Sequence, residues 1–203
     1  MNPAKTATPD HSIHPLVASR WSPYAFADKP VAKSDLQSLF EAARWAASSY
    51  NEQPWRYILA TKDDPAEFNR LLACLVEGNQ AWAKNAPVLA IGCTSLNFAL
   101  NGKPNAAAIH DLGIASATLT FEATARGLHV HQMIGILPDQ ARSTYSIPND
   151  VQPLTALAIG YAAAADALPE KLRARDLSPR TRKPLREFVF SGTWSNPSSA
   201  VSP

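Results

Sequence analysis

Apolar positions recur at helical spacing along parts of the chain and crowd into short unbroken runs elsewhere, and these patterns mark out its elements. Leu36, Leu39, Phe40 and Ala43 return every three or four residues, which predicts a helix over 35–47. Ser34-Asp35-Leu36-Gln37 has the form of a capping box at its start. Residues 55–61 read as a strand. Asp64-Pro65-Ala66-Glu67 then combines an N-cap carboxylate, a proline at the first helical position and an acidic first turn, so a second helix carries Phe68, Leu71, Leu72 and Leu75. Gly78 is read as the end of that helix, with a further turn or two over 80–85. Pro87 leads into Val88-Leu89-Ala90-Ile91-Gly92-Cys93-Thr94, a run apolar enough for a strand covered on both faces. Residues 95–104 read as a loop, and the Ala- and Leu-rich stretch 105–126 as the longest helix, stopped by Gly127. Within it Gly113, Ala115, Ser116 and Ala117 leave room for another backbone or a flat ring, and helix packing alone accounts for them equally well. A strand over 129–136, a helix over 138–145, a last core strand over 154–161 and a short helix over 169–175 complete the pattern.

Long helices mixed with about four strands imply an α+β domain. The 203 residues are 46% apolar and 18% charged, which suits one domain with a substantial core, expected over 11–194. A polar lead-in over 1–10 is expected to be disordered, a short helix over 11–19 to end just before Arg20, and a Ser/Pro tail over 195–203 to be mobile. The apolar trio Phe188, Val189 and Phe190 follows an apparently finished domain and needs somewhere to be buried. The net charge of +2 is spread along the chain, with no basic stripe for nucleic acid. Cys74 and Cys93 have apolar neighbours and no CxxC spacing, which reads as buried free thiols in a reducing cytoplasm. The absence of a long apolar run or an apolar signal core after Met1-Asn2-Pro3-Ala4-Lys5 argues against membrane insertion and secretion.

No side-chain mechanism has its parts. His110, His129 and His131 lack the companions of a zinc helix, and Gly-x-Ser-x-Gly, Walker and Gly-x-Gly-x-x-Gly motifs do not occur. Ser48-Ser49-Tyr50-Asn51-Glu52-Gln53-Pro54-Trp55 concentrates hydroxyls and carboxamides between a helix and a strand. Two readings stand side by side: a site for a planar, polyfunctional ligand, or a loop whose polar groups cap backbone ends. A polar pocket without a nucleophile or base suits a borrowed cofactor.

Five segments in order resemble the flavin-dependent nitroreductase family over roughly residues 14–194. Arg20-Trp21-Ser22-Pro23-Tyr24-Ala25-Phe26 is similar to its Arg-x-Ser-x-Arg/Lys-x-Phe opening, and Ala47-Ser48-Ser49-Tyr50-Asn51-Glu52-Gln53-Pro54-Trp55 to its Pro-Ser-Ser-x-Asn-x-Gln-Pro-Trp. Asp111-x-Gly113-x-Ala115, Gln132-Met133-Ile134-Gly135-Ile136 and Arg180-x-Arg182-x-Pro184-Leu185 fall where the family keeps its later segments.

The resemblance implies a nitroreductase-like fold: a central mixed or antiparallel sheet flanked by helices, with a C-terminal arm from about residue 185 crossing to the partner subunit of a homodimer. It implies FMN as cofactor and NAD(P)H as reductant, with a small-molecule acceptor such as a nitroaromatic or quinone. Arg20, Arg180 and Arg182, with Ser22, match the positions that hold the phosphate, and forked guanidinium donors suit its oxygens. Ser48, Ser49, Asn51 and Gln53 would approach the flavin of the other subunit, and a backbone N–H on the Met133-Ile134-Gly135 strand would point at flavin N5. Trp21 and Tyr24 occupy ring-side positions but depart from the family, which often has Arg or Lys at the place of Tyr24; Ala47 replaces the usual Pro. A neutral Tyr24 there implies a lower flavin potential than a lysine gives. A flavin-sequestering protein without turnover is the alternative reading, and a cofactor-free scaffold requires five accidental matches.

Overall fold

Two mostly apolar strands make the centre of the sheet. In the computed structural model, which describes residues 3–201, β1 (Trp55–Thr61), β2 (Val88–Ser95), β3 (His129–Met133) and β4 (Val151–Gly160) form one sheet in the order β1-β2-β4-β3. Every pairing is antiparallel. β2 and β4 are central, and the register places Leu89 opposite Ala158 and Ala90 opposite Leu157, so a bulky residue on one strand faces a small one on the next.

The period of two along the strands sends side chains into two cores. Leu89, Ile91, Cys93, Ala156 and Ala158 face α3 (Pro65–Leu72) and α4 (Glu77–Ala83), where Phe68, Leu71 and Trp82 are buried. Val88, Ala90, Leu157 and Ile159 face α2 (Lys33–Arg44) and α5 (Ala108–Ala125), which bury Leu39, Leu112 and Leu119. Leu119 is fully buried, and truncating such a residue to alanine costs about 2 to 5 kcal/mol. Asp64 caps α3 by accepting the Glu67 N–H, as the sequence signals. At the end of α5, Gly127 takes φ 73° and the Leu128 N–H reaches the Ala123 carbonyl, closing the helix in the left-handed manner. The remaining helices are α1 (Pro15–Ser19), α6 (Pro138–Tyr145) and α7 (Glu170–Leu177). Among the described residues no helix is long and apolar enough to cross a membrane.

The α+β class and the four strands stand as expected, and several local expectations are corrected. Gly78 lies inside α4 and terminates nothing. The break after α3 is made at Leu75, which bridges to Ile136, and at Val76, whose N–H bonds the Gly135 carbonyl. Ser34 sits within α2 and caps nothing, since the helix begins at Lys33 after Ala32. β3 ends at Met133, three residues short of the expected strand. The lead-in is packed where it is described: Lys5 is buried and donates to the Arg175 and Ser178 carbonyls at the end of α7. Its first two residues, Met1 and Asn2, lie outside the described residues. The tail is tied back through a Phe190–Pro197 bridge and a buried Ser198, while Ser202 and Pro203 lie outside the described residues.

Candidate functional site

The Arg20–Phe26 segment runs past the sheet's β3 edge, pinned at both ends. The Arg20 N–H closes α1 onto the Leu16 carbonyl. Downstream, the buried Asp176 carboxylate of α7 accepts the Tyr24 and Ala25 N–H groups, each at 3.1 Å. Phe26 bridges to Ala162. Between these anchors Arg20 and Ser22 turn toward α5, lining a cavity of about 350 Å³ together with Ala117, Thr120, Phe121, Val130 and Gln132.

Arg20 is half-buried and donates to the Ser22 hydroxyl at 3.3 Å. Burial pushes its pKa down, and the nearby Arg180 and Arg182 push the same way. Three residues from opposite ends of the chain are therefore close enough to repel one another. None of the three makes an ion pair among the described residues. Arg180 is also structural, donating to the Lys5 carbonyl at 3.1 Å and the Ala18 carbonyl at 2.7 Å, whereas Arg182 donates to the adjacent Thr181 carbonyl. Arg180 and Arg182 line a second, larger cavity of about 760 Å³ between the N-terminal segment and the C-terminal arm.

Trp21 and Tyr24 point elsewhere. Trp21 is buried edge-on against His129. Tyr24, expected beside the flavin, packs its ring on Trp82 and His131 and accepts a hydrogen bond from Arg175. The reason is strand alternation: His129 and His131 project to one face of β3, Val130 and Gln132 to the other, and Tyr24 follows the histidines.

The Ser48–Gln53 loop lies at the opposite end of α5. Its Ser49 N–H is taken by Asp111, a buried carboxylate in the first turn of that helix, and the Ser48 hydroxyl accepts the Gln53 N–H. Tyr50, Asn51 and Gln53 have φ of 53°, 56° and 52°, each costing about 1 to 2 kcal/mol for a residue with a Cβ. The Ser48 hydroxyl and the Gln53 carboxamide, which donates to the Asn51 carbonyl, thus serve the loop's own backbone. Tyr50 stands 91% exposed. From Asp111 to Thr120 is nine residues, or about 14 Å along the helix axis, so loop and cavity are separate stations within one chain.

After β3 the chain presents free backbone. Neither the Ile134 nor the Gly135 N–H has an acceptor among the described residues, and the Ile134 side chain is 69% exposed. A Cβ on Gly135 would sit 2.4 Å from Asn79, whose side chain donates to the Gly135 carbonyl. Met133, by contrast, is buried in the α3/α4 core.

Sequence reasoning missed Gln132 and Thr120 in the cavity wall, and Asp111 and Asp176 as anchors. Gln132 carried little local signal, because β3 reads His-Val-His-Gln-Met and is polar at three of five positions. Asp176 carried none, because its partners lie about 150 residues away.

The Nitroreductase family profile matches residues 17–161, and the chain belongs to that family. A crystal structure described as an oxidoreductase containing FMN superposes with a TM-score of 0.89 at 34% identity, covering 97% of this chain and all of the other. A nitroreductase family protein of Clostridium difficile 630 aligns at 25% identity and a TM-score of 0.66, over 88% of this chain and 96% of its own. By sequence, the chain is 32% identical over 133 residues to an uncharacterised 15.4 kDa protein of Mycolicibacterium smegmatis, covering 64% of this chain and 86% of the relative. It is 27% identical to the FMN reductase [NAD(P)H] of Bacillus subtilis over 73% of this chain and 65% of that enzyme.

Proposed function

We propose that the chain is an FMN-dependent, NAD(P)H-oxidising oxidoreductase acting as a homodimer. The observation that carries this reading is that Arg20, Arg180 and Arg182 line neighbouring cavities, Arg20 feels the charge of the other two, and none of them has a carboxylate partner among the described residues. Bringing like charges together is unfavourable, the more so where Arg20 and Arg180 are half-buried, unless an anion completes the group, and a phosphate monoester has the charge and the oxygens. The residues present fit FMN on further counts: the Ser22 hydroxyl beside Arg20, and N–H groups at Ile134 and Gly135 that have no acceptor among the described residues and could meet a ring acceptor.

When bound, FMN supplies the chemistry, taking a hydride from NAD(P)H at N5 and passing it to an oxidised acceptor such as a nitroaromatic or quinone. This chain's part is to hold and orient. Arg20, Ser22, Arg180 and Arg182 fix the phosphate, and the Ile134 and Gly135 N–H groups meet the ring, while no side chain is required as acid or base. Ser48, Ser49, Asn51 and Gln53 serve the partner's flavin, since within one chain their loop stands about 14 Å along α5 from the cavity wall. Exposed Phe188 and Trp194 on the C-terminal arm, and exposed Trp45, Tyr50 and Ile134, supply apolar surface for that interface. The buried free thiols Cys74 and Cys93 suit a reducing cytoplasm.

Purified protein is expected to be yellow, with about one FMN per subunit. NAD(P)H should bleach it anaerobically and an added quinone restore it; protein that stays colourless after incubation with FMN refutes the reading. Deleting residues from 185 onward should weaken dimerisation and FMN binding together, as gel filtration and flavin titration will show.

A further inference from the structure

We infer that Gln132 binds the flavin's ribityl chain, its side-chain carbonyl accepting a hydrogen bond from a ribityl hydroxyl. The inference rests on the FMN reading above and adds a contact that the sequence comparison does not supply. Gln132 lies on the edge strand β3, on the face turned to α5, and lines the cavity that holds Arg20 and Ser22. Its Nε2 donates to the Ser116 carbonyl at 3.1 Å and to the Thr120 hydroxyl at 2.9 Å. A backbone carbonyl only accepts, so the amide nitrogen must face α5, which fixes the orientation of a group that is otherwise ambiguous. Thr120 gives its own proton to the same Ser116 carbonyl at 2.7 Å and is left as the acceptor for Gln132. The chain of bonds has one direction.

Both amide hydrogens being used, Oε1 is the remaining polar atom of this exposed side chain, and it has no partner among the described residues. A ligand meeting it must donate. Arg20 and Ser22 in the same cavity offer donors for an oxyanion, so the wall matches a molecule that carries a hydroxyl near a phosphate. The ribityl phosphate of FMN is that combination. The isoalloxazine presents acceptors apart from its N3–H, and that alternative is separated by the choice of probes.

The test is flavin fluorescence titration of the full chain, freed of bound flavin, with FMN, riboflavin and lumiflavin. Gln132→Met keeps the length and removes the acceptor; Gln132→Leu serves as a second substitution if the first folds poorly. FMN and riboflavin should each bind roughly three- to tenfold more weakly, by the same factor, with lumiflavin unchanged because it lacks the ribityl chain but keeps N3–H. Thr120→Val, which releases one tether, should weaken FMN and riboflavin in the native background and add nothing to Gln132→Met. Unchanged FMN affinity in a folded Gln132 variant, or an equal loss for lumiflavin, overturns the inference while leaving the FMN reading intact. A native chain that binds none of the three flavins overturns both.

Discussion

Strand β3 serves two regions that differ in how completely their groups are matched. On the side of His131, the imidazole Nδ1 meets the Pro23 carbonyl, the ring packs against Tyr24 and Trp82, and Asp176 pins the backbone between them. On the side of Gln132, Arg20 has no counter-charge among the described residues, feels the repulsion of Arg180 and Arg182, and shares its cavity with a Gln132 carbonyl that meets no donor there. The same alternation produces both. The network around His131 is of the kind that rigidifies a fold, although the His129 Nδ1 on the same face is buried without a partner among the described residues, whereas unmatched charge persists where a ligand completes it.

The largest expected effect tests the unmatched side. Arg20→Ala removes a charged hydrogen bond worth about 1.5 to 3 kcal/mol, so FMN should bind ten- to a hundredfold more weakly while riboflavin, lacking the phosphate, barely changes. Equal losses for the two flavins would make Arg20 structural and erase the contrast. Arg180→Ala sharpens it, because this residue also ties down the Lys5 and Ala18 carbonyls and should lose thermal stability as well as FMN affinity.

Next comes the matched side. Tyr24→Ala should cost about 2 kcal/mol of stability in denaturant titration, the ring being half-buried against Trp82 and His131. Tyr24→Lys should move the flavin midpoint potential by less than about 10 mV, where about 30 mV corresponds to 1.4 kcal/mol for two electrons. A rise of several tens of millivolts would place residue 24 at the ring after all and contradict the packing.

What the sequence disclosed and what it hid divide along the same line of local against distant causes. β1, α6 and the Asp64 cap follow from residues within a few positions, and the glycine at 127 announces its own left-handed turn. The error at Gly78 is distant in origin: the break that matters is made by Ile136 and Gly135, and Gly78 survives inside α4 with open space around it. Arg20, Arg180 and Arg182 could be proposed together only through the family resemblance. Gln132 stayed hidden because its meaning depends on Thr120 and Ser116 across the sheet edge, and the packing of Tyr24 on Trp82 and His131 could not be read from its neighbours in sequence.

The Ser48–Gln53 loop is a third region, in which strain and anchoring are balanced. Asp111→Ala leaves the Ser49 N–H without its acceptor and should cost about 1 to 2 kcal/mol, read as faster amide exchange confined to residues 49–53. Asp111→Asn keeps an acceptor oxygen and should restore most of the protection. Unchanged exchange in the alanine variant would show that the contacts of Ser48, Gln53 and Glu52 hold the three left-handed residues alone.

The smallest effect concerns protons on the matched side. Burial lowers the pKa of His131, with Arg20 acting in the same direction and the Pro23 carbonyl and Asp176 against it; Tyr24 and Trp82 are the other faces it meets. The folded state therefore binds fewer protons than the unfolded chain below the ordinary histidine range near 6.5. Stability should be full above that pH and decline as acid is added, at less than the slope of about 1.4 kcal/mol per pH unit that one whole proton gives. His131→Gln should flatten the decline between about pH 6.5 and 5 in thermal melts, with some slope left because burial lowers His129 as well. A native protein whose melting temperature rises on acidification through that window would mean that His131 charges favourably in the folded state, and the network around it would then be a proton-binding site open to change.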